Sequence, residues 1–259
     1  MACLTPFYID VIDKVSGLPS KVLIPCGHCE QCLKKKQADW ISRLLVDAFM
    51  SLSSFFVTLT YDESHLPFPE GVNIKDVQLF WKTFRKYNSF GKFKYFLVSE
   101  YGAISSRPHY HCLLFFNERV EWIPLSRYLE RCWTKGTHKI GTVDLASISY
   151  CAKYCLKSRS DSRHIFDNKT FAMMSKRPAI GFDLLKISDK FSERNCFEVV
   201  SGNRVVAMPR YYRDKIFDDL QKYEHSKEIQ EKYGKLPSAL TAYDRYCKRI
   251  EFERKQKRM

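Results

Sequence analysis

RPHYHCLLFF, residues 107–116, decides how this chain folds. Cys112 to Phe116 is the apolar run a buried strand needs, yet the head of the run carries two histidines around one tyrosine. Residues two apart on a strand emerge on one face, so His109 and His111 share a face and Tyr110 points the other way. The preceding segment KFKYFLVSEY (92–101) reads as a second strand, and the linker GAISS predicts a hairpin closed over Gly102 to Ser106. That hairpin brings Glu100 beside the histidines. Two imidazoles and one carboxylate on one patch make a divalent-metal site with open positions. Such a site acts as a Lewis acid on a phosphate oxygen. The same three ligands also serve an iron oxygenase or a zinc hydrolase, so they do not name a reaction. Two ordinary polar residues on a half-exposed strand are the plainer alternative.

Working outward, SSFFVTLTY (53–61) alternates with the period of a strand. DESHLPFPEG then breaks the chain with two prolines and a glycine. Asn73 caps a helix whose stripe is Ile74, Val77, Trp81 and Phe84. WIPLSRYLERCW is a further helix, KIGTVDLA (139–146) a strand and SISYCAKYCLKS a helix. Upstream, Leu33, Trp40, Leu44, Leu45 and Ala48 predict a helix from about Gln31 to Met50. The order strand–helix–strand–strand–helix–strand–helix implies an α+β layer structure, with a central, mainly antiparallel sheet flanked by helices. Residues 1–32 read as loop-rich. NCFEVVSGNRVVAMPRYY reads as a hairpin turning at Ser201–Asn203. From Asp214 the chain is charged and helical, ending in the basic RIEFERKQKRM. Three segments are expected: 1–50, Cys-rich with a basic helix; 51–160, the core; and 161–259, a basic extension with a hairpin and helical tail.

The 259 residues are 45% hydrophobic and 15% aromatic, enough for a substantial core, and the net charge of +14 calls for a polyanionic partner. No apolar run reaches the length of a membrane span, and MACLTPFYID lacks the marks of a secretory signal. The expectation is a soluble, cytoplasmic protein whose ten cysteines are thiols or metal ligands, not disulfides. Neither Gly-Lys pair, at Gly91 and Gly234, is followed by Ser or Thr, so no nucleotide-binding Walker loop is present.

Tyr150, Lys153, Tyr154 and Lys157 fall at i, i+3, i+4 and i+7, on one helical face. Ile148, Cys151, Ala152 and Cys155 form the opposite, core-facing stripe. A tyrosine hydroxyl, with a pKa of about 10, is a poor nucleophile. A nearby ammonium and a polarised phosphate make its attack feasible. The alternative is an amphipathic helix with a solvated Tyr/Lys face. PCGHCEQC places Cys26, Cys29 and Cys32 two residues apart, and with Cys3 as fourth ligand they suit tetrahedral zinc. Free buried thiols are the other reading. Such a zinc knuckle would pin the N-terminus to the sheet.

Taken together, these residues resemble the HUH endonucleases, specifically rolling-circle replication initiators. FFVTLTY (55–61) looks like their first motif, RPHYHCLLF their second and YCAKY (150–154) their third. The match is to the two-tyrosine initiators of the Microviridae, the gokushovirus branch, which also carry an early Cys and a Cys-Gly-x-Cys segment. PRYY (209–212) is similar as well. The resemblance implies Tyr150 and Tyr154 as alternating nucleophiles, assisted by Lys153. It implies Glu100, His109 and His111 as ligands of Mg²⁺ or Mn²⁺, with Arg107 and Lys157 contacting DNA. It implies nicking of single-stranded origin DNA in the bacterial host cytoplasm. The products are a 3′-hydroxyl for the host polymerase and a 5′-phosphotyrosine that later ligation resolves. With no Walker loop, a host helicase is the expected partner. A non-catalytic, zinc-containing nucleic-acid-binding module is the competing hypothesis, and a small-molecule oxygenase or hydrolase a third.

Overall fold

The apolar segments on either side of Gly102 pair as a long antiparallel hairpin, and the fold is built around it. The structure, a computed structural model, describes residues 3–12, 17–102, 105–154, 168–194, 196–201 and 204–233. In chain order the elements are β1 (Phe7–Ile12), β2 (Pro19–Ile24), α1 (Glu30–Met50), β3 (Ser53–Thr60), α2 (Ile74–Lys86), β4 (Phe93–Tyr101) and β5 (Pro108–Phe116). They continue with α3 (Trp122–Cys132), β6 (His138–Thr142), α4 (Leu145–Tyr154), β7 (Ala172–Met174), α5 (Asp189–Ser192), β8 (Glu198–Ser201), β9 (Arg204–Ala207), α6 (Arg210–Ile216) and α7 (Asp219–Tyr233). No helix among the described residues is long and apolar enough to cross a membrane. Lys157, Cys155 and the basic C-terminal segment lie outside the described residues.

The chain divides into two compact units, Met1–Asp39 with Ile187–Val199 and Val206–Met259, and Trp40–Lys186 with Val200–Val205. The second unit is an α+β layer structure. Its five-stranded sheet runs β6-β3-β5-β4-β7, with every pairing antiparallel. β5 is the central strand. Both of its faces are covered, which is why it reads as an almost unbroken apolar run. On one face Phe55, Val57, Leu59, Tyr95, Leu97, Cys112, Leu114 and Phe116 meet Val77, Phe80, Trp81 and Phe84 of α2 and Leu125 and Leu129 of α3. On the other, Phe96, Val98, Leu113 and Phe115 meet Leu44 of α1 and Ile148, Cys151 and Ala152 of α4.

Local chemistry explains the boundaries. Asn73 caps α2 by accepting from the Lys75 backbone N–H at 2.9 Å. The stripe of α2 differs from the expected one by a residue: Ile74 is exposed, and Phe80 takes the buried place. Ile74 stands in the first turn, and the helix turns it outward. Three strands were not expected from the sequence. β1 and β2 form a hairpin within the supposedly loop-rich N-terminus, and β7 is a three-residue edge strand on β4.

One charged cluster sits inside the apolar layer. Lys94, on the α1/α4 side of β4, donates to Asp47 at 2.5 Å and to Asp183 at 2.7 Å, and only 5% of its side chain is exposed. The second oxygen of Asp47 accepts from the Gly181 N–H at 2.9 Å, and Arg43 donates twice to the Ile180 carbonyl. These bonds fasten α1 and the 180–183 segment to the sheet. Removing one partner of a buried ion pair strands the other charge without water. Lys94→Met is therefore expected to lower stability by about 3–5 kcal/mol, read by urea unfolding; a loss under about 1 kcal/mol would show that the cluster is solvated in solution.

The first unit contains the β1–β2 hairpin, the start of α1, and the helices after β9. Within it Phe197 stacks on Phe217 and on His225, with centroids 3.8 Å apart in each case.

Candidate active site

Strand register assembles the first half of the site. Glu100 on β4 stands directly opposite His109 on β5, and Val98 opposite His111. On the other flank of β5, Thr60 faces His109 and Thr58 faces His111. Directly paired residues lie on one face of a sheet, so the carboxylate, both imidazoles and both hydroxyls share the side covered by α1 and α4. Glu100 Oε2 lies 3.5 Å from His109 Nε2 and 3.2 Å from His111 Nε2. One donor atom from each of the three residues falls within 4.8 Å of the others.

The outer ring nitrogens are tied down. His109 Nδ1 lies 3.1 Å from the Arg107 carbonyl, and a carbonyl only accepts, so Nδ1 carries the hydrogen. In the neutral ring, Nε2 then presents its lone pair to the site. His111 Nδ1 lies 3.1 Å from Thr58 Oγ1, and the ring stacks on Phe56 at 5.4 Å. His111 Nε2 is buried and makes no hydrogen bond. An orphaned imidazole nitrogen facing a carboxylate is the arrangement a cation completes, and the set of two nitrogens and one carboxylate suits a divalent metal with open positions.

Helix α4 supplies the second half. Ile148, Cys151 and Ala152 are buried against the sheet, and an aliphatic side chain the size of isoleucine contributes about 1.5–3 kcal/mol when fully buried. This stripe fixes the rotation of the helix and swings Tyr150 and Tyr154 toward the triad. Tyr150 donates to Glu100 Oε2 at 2.6 Å, and Tyr154 donates to Glu100 Oε1. The two hydroxyls are 3.2 Å apart, and the Tyr150 ring lies 5.1 Å from that of His111, edge to face.

The electrostatics follow from this crowding. Burial pushes the Glu100 carboxyl up, but hydrogen bonds from His109, His111, Tyr150 and Tyr154 outweigh it and hold the group well below the usual carboxylate range. Burial lowers the basicity of His109, yet the bond to Glu100 more than offsets this and raises its pKa. Burial and the adjacent carboxylate push the Tyr150 phenol up to about 12 and raise that of Tyr154 as well. Both tyrosines are therefore phenols at neutral pH, not phenolates.

Other residues singled out from the sequence are placed differently. Lys153 is exposed on α4. Arg107 pairs with Glu63 and donates to the Tyr61 carbonyl at 2.8 Å, so its guanidinium is held by its own chain. Behind the sheet, Tyr110 anchors β5. Its hydroxyl accepts from the Asn73 N–H at 2.7 Å and lies 2.9 Å from that of Tyr61, which donates to Asp76 at 2.8 Å. Thr58 escaped the sequence reading. The alternation of SSFFVTLTY marks its face, but only the β3–β5 register sets it opposite His111.

In the first unit, Cys3, Cys26, Cys29 and Cys32 converge, with all four sulfurs within 4.8 Å. Cys3 Sγ lies 3.8 Å from Cys29 Sγ, and Cys26 Sγ 4.0 Å from Cys32 Sγ. Metal–sulfur bonds of about 2.3 Å at tetrahedral angles put sulfurs about 3.8 Å apart. Gly27, with φ of +80°, makes the turn between Cys26 and Cys29. The backbone N–H groups of Leu4, Cys26 and Cys29 point at sulfur. Burial raises the Cys26 thiol, but hydrogen bonds from its neighbours hold it at about 6. Burial and the adjacent sulfurs push Cys32 up to about 12. Four sulfurs this close ionise together only around a cation, and the donor set fits one.

Comparison with known proteins followed the same residues. The family of replication-associated proteins of the ORF2 type matches residues 54–159, a span that holds the triad and both tyrosines. The chain is 28% identical over 225 residues to replication-associated protein VP4 of Bdellovibrio phage phiMH2K, covering 78% of this chain and 70% of that protein. It is 30% identical over 156 residues to replication-associated protein ORF2 of Spiroplasma virus 4, covering 52% and 48%. It is 26% identical over 215 residues to replication-associated protein ORF4 of Chlamydia phage 1, covering 74% and 53%. The matches to the last two thus span about half of those proteins' length. No solved structure matches.

The hydrogen bond to His111 gives a direct test of the metal reading. Partners of a ligand's outer nitrogen typically tune affinity 10–100-fold. Thr58→Val, which keeps the strand-favouring shape, is expected to weaken Mn²⁺ binding about 10–100-fold, and Glu100→Gln to abolish it. Electron paramagnetic resonance titration of free Mn²⁺ checks both. Because binding needs a neutral His109 whose pKa is raised, affinity should fall as pH drops through the histidine range; affinity independent of pH there would contradict the assignment.

Proposed function

Over residues 54–159 this chain belongs with the replication-associated proteins of the ORF2 family, its relatives being those of gokushovirus-type phages, and on that footing we propose that it initiates phage DNA replication by nicking and rejoining single-stranded DNA. The observation that carries the proposal is that Tyr150 and Tyr154 both donate to the carboxylate that faces both imidazoles. A nucleophile pair and a candidate metal site thus share one residue.

Glu100, His109 and His111 would hold Mg²⁺ or Mn²⁺. A divalent cation there supplies Lewis-acid polarisation of a phosphate oxygen. The chain's own groups do the rest. Thr58 and the Arg107 carbonyl hold the imidazoles in the tautomer that presents Nε2. Glu100 orients the phenols; with its pKa held low it is too weak a base to be the final proton acceptor. The phenolic oxygen attacks phosphorus and loses its proton, the bond from phosphorus to the 3′-oxygen breaks, and that oxygen leaves as a hydroxyl. The product, a 5′-phosphotyrosine, retains the phosphodiester energy, so attack by a 3′-hydroxyl reverses the step and joins ends. Two phenols 3.2 Å apart let one cut while the other still carries a DNA end. Lys153 and Lys157, from the same sequence motif, would offset phosphate charge. The competing reading, a binder without chemistry, leaves the convergence of both phenols on one carboxylate unexplained.

Incubation with an origin-bearing single strand and Mn²⁺ should give a covalent protein–DNA adduct on a denaturing gel, mapped to Tyr150 or Tyr154. Either single Phe substitution should leave an adduct on the other tyrosine. Tyr150→Phe with Tyr154→Phe should lower adduct formation on the order of 10⁴-fold while single-strand binding persists. An undiminished adduct in the double variant would refute the mechanism. For the four cysteines we infer structural zinc: elemental analysis should find one ion per chain, and Cys29→Ser should lose it and unfold the N-terminal hairpin, as seen by hydrogen exchange.

A further inference from the structure

The triad is closed on one side and open on the other. Toward β7, Val98, Ser99 and Glu100 are buried, and the Ser99 N–H donates to the Phe171 carbonyl at 2.9 Å. Toward β3 and β6 the same sheet face is accessible. Lys139 on β6 pairs with Thr58, and Thr58 pairs with His111, so the three lie in one row on one face. With neighbouring strands about 4.8 Å apart, Lys139 stands about 10 Å from His111. Lys139 is exposed, and among the described residues no carboxylate or hydrogen-bond acceptor engages it. Arg107, the other cation near the histidines, is occupied by Glu63.

The adjoining row carries Glu100, His109 and Thr60, and it continues onto the segment before β6. Thr60 Oγ1 lies 2.8 Å from Thr137 Oγ1 in an exposed pair. The Thr60 N–H donates to the Thr137 carbonyl, and the Asp62 N–H to the Lys135 carbonyl. Gly136 lets this segment approach β3: a Cβ there would lie 2.1 Å from the Thr60 carbonyl oxygen and 2.6 Å from the Asp62 nitrogen. The chain thus gives up a side chain at Gly136 to hold two hydroxyls and an ammonium beside the triad.

We propose that Lys139, with the hydroxyls of Thr60 and Thr137, grips a backbone phosphate flanking the one that is attacked, so that the single strand enters the site across β3 from the β6 edge. This rests on the nicking reading above. A lysine and two hydroxyls read no base, so the grip positions the strand without specifying sequence. The competing role for Lys139 is that of a charged residue that keeps an edge strand from pairing with other chains.

The test uses the full chain in two arms. Fluorescence anisotropy with a short, mixed-sequence single-stranded oligodeoxynucleotide, without added divalent ion, reads binding. Adduct formation with Mn²⁺ and saturating origin strand reads chemistry. Lys139→Glu should weaken binding about 10-fold or more and lower the slope of log affinity against log salt by about one. Lys139→Arg should stay within about threefold of the parent, and Lys139→Glu at saturating strand should still form adduct within about threefold. Thermal melting confirms that each variant folds. If Lys139→Glu binds as the parent does, or if Lys139→Arg fails as badly as Lys139→Glu, the phosphate grip is wrong. If the parent binds and responds to Lys139 as stated but forms no adduct, nicking is wrong and the grip stands as a binding site. If the parent does not bind single strands, both fall.

Discussion

The site depends on one pairing, Glu100 opposite His109 across the β4–β5 hairpin. Side chains alternate along a strand, so a slip of one residue would send the carboxylate to one face of the sheet and leave the imidazoles on the other. The register is held from both sides. Lys94, Phe96 and Val98 are committed to the α1/α4 layer, and Tyr95, Leu97 and Tyr101 to the α2/α3 layer. A slipped hairpin would exchange these two sets and bury Lys94 among aromatic rings without a carboxylate.

Burial on both faces also explains why polar groups sit so deep. Tyr110 would be an unsatisfied hydroxyl in the α2/α3 layer, but Asn73 and Tyr61 complete its bonding. That same network ties the middle of the His-Tyr-His run to the loop before α2. One strand thus carries imidazoles toward chemistry on one side and a phenol toward structure on the other. The phenols of α4 differ in kind. They reach the site because the helix's apolar stripe is narrow and opposite, so packing Ile148, Cys151 and Ala152 leaves Tyr150 and Tyr154 at the edge of the layer, where Glu100 collects both.

Much of this was legible in the residues. The hairpin, the face shared by His109 and His111, the order of elements in the core and the two faces of α4 all follow from periods of 2 and 3.6, and the structure reproduces them. The exceptions have physical causes. β1, β2 and β7 are short and depend on a partner strand, so their own sequences carry little signal. Ile74 looks like a core residue by spacing, but helix α2 begins there and turns it to solvent. Arg107 looks available for a ligand; Glu63 lies 44 positions earlier, and no local pattern could announce that contact.

The sequence by itself determined which side chains share a face: that is a matter of local backbone geometry, and alternation and helical spacing express it directly. It also determined the kind of chemistry available, since two imidazoles, a carboxylate and paired phenols are unusual company on otherwise apolar elements. Only the tertiary structure decided which faces meet. Whether Thr58 stands against His111, whether both phenols reach one carboxylate, whether four cysteines from two segments close on a point and which edge of the sheet stays open are all set by register and packing between distant segments. Those contacts have energies that no single stretch of residues contains.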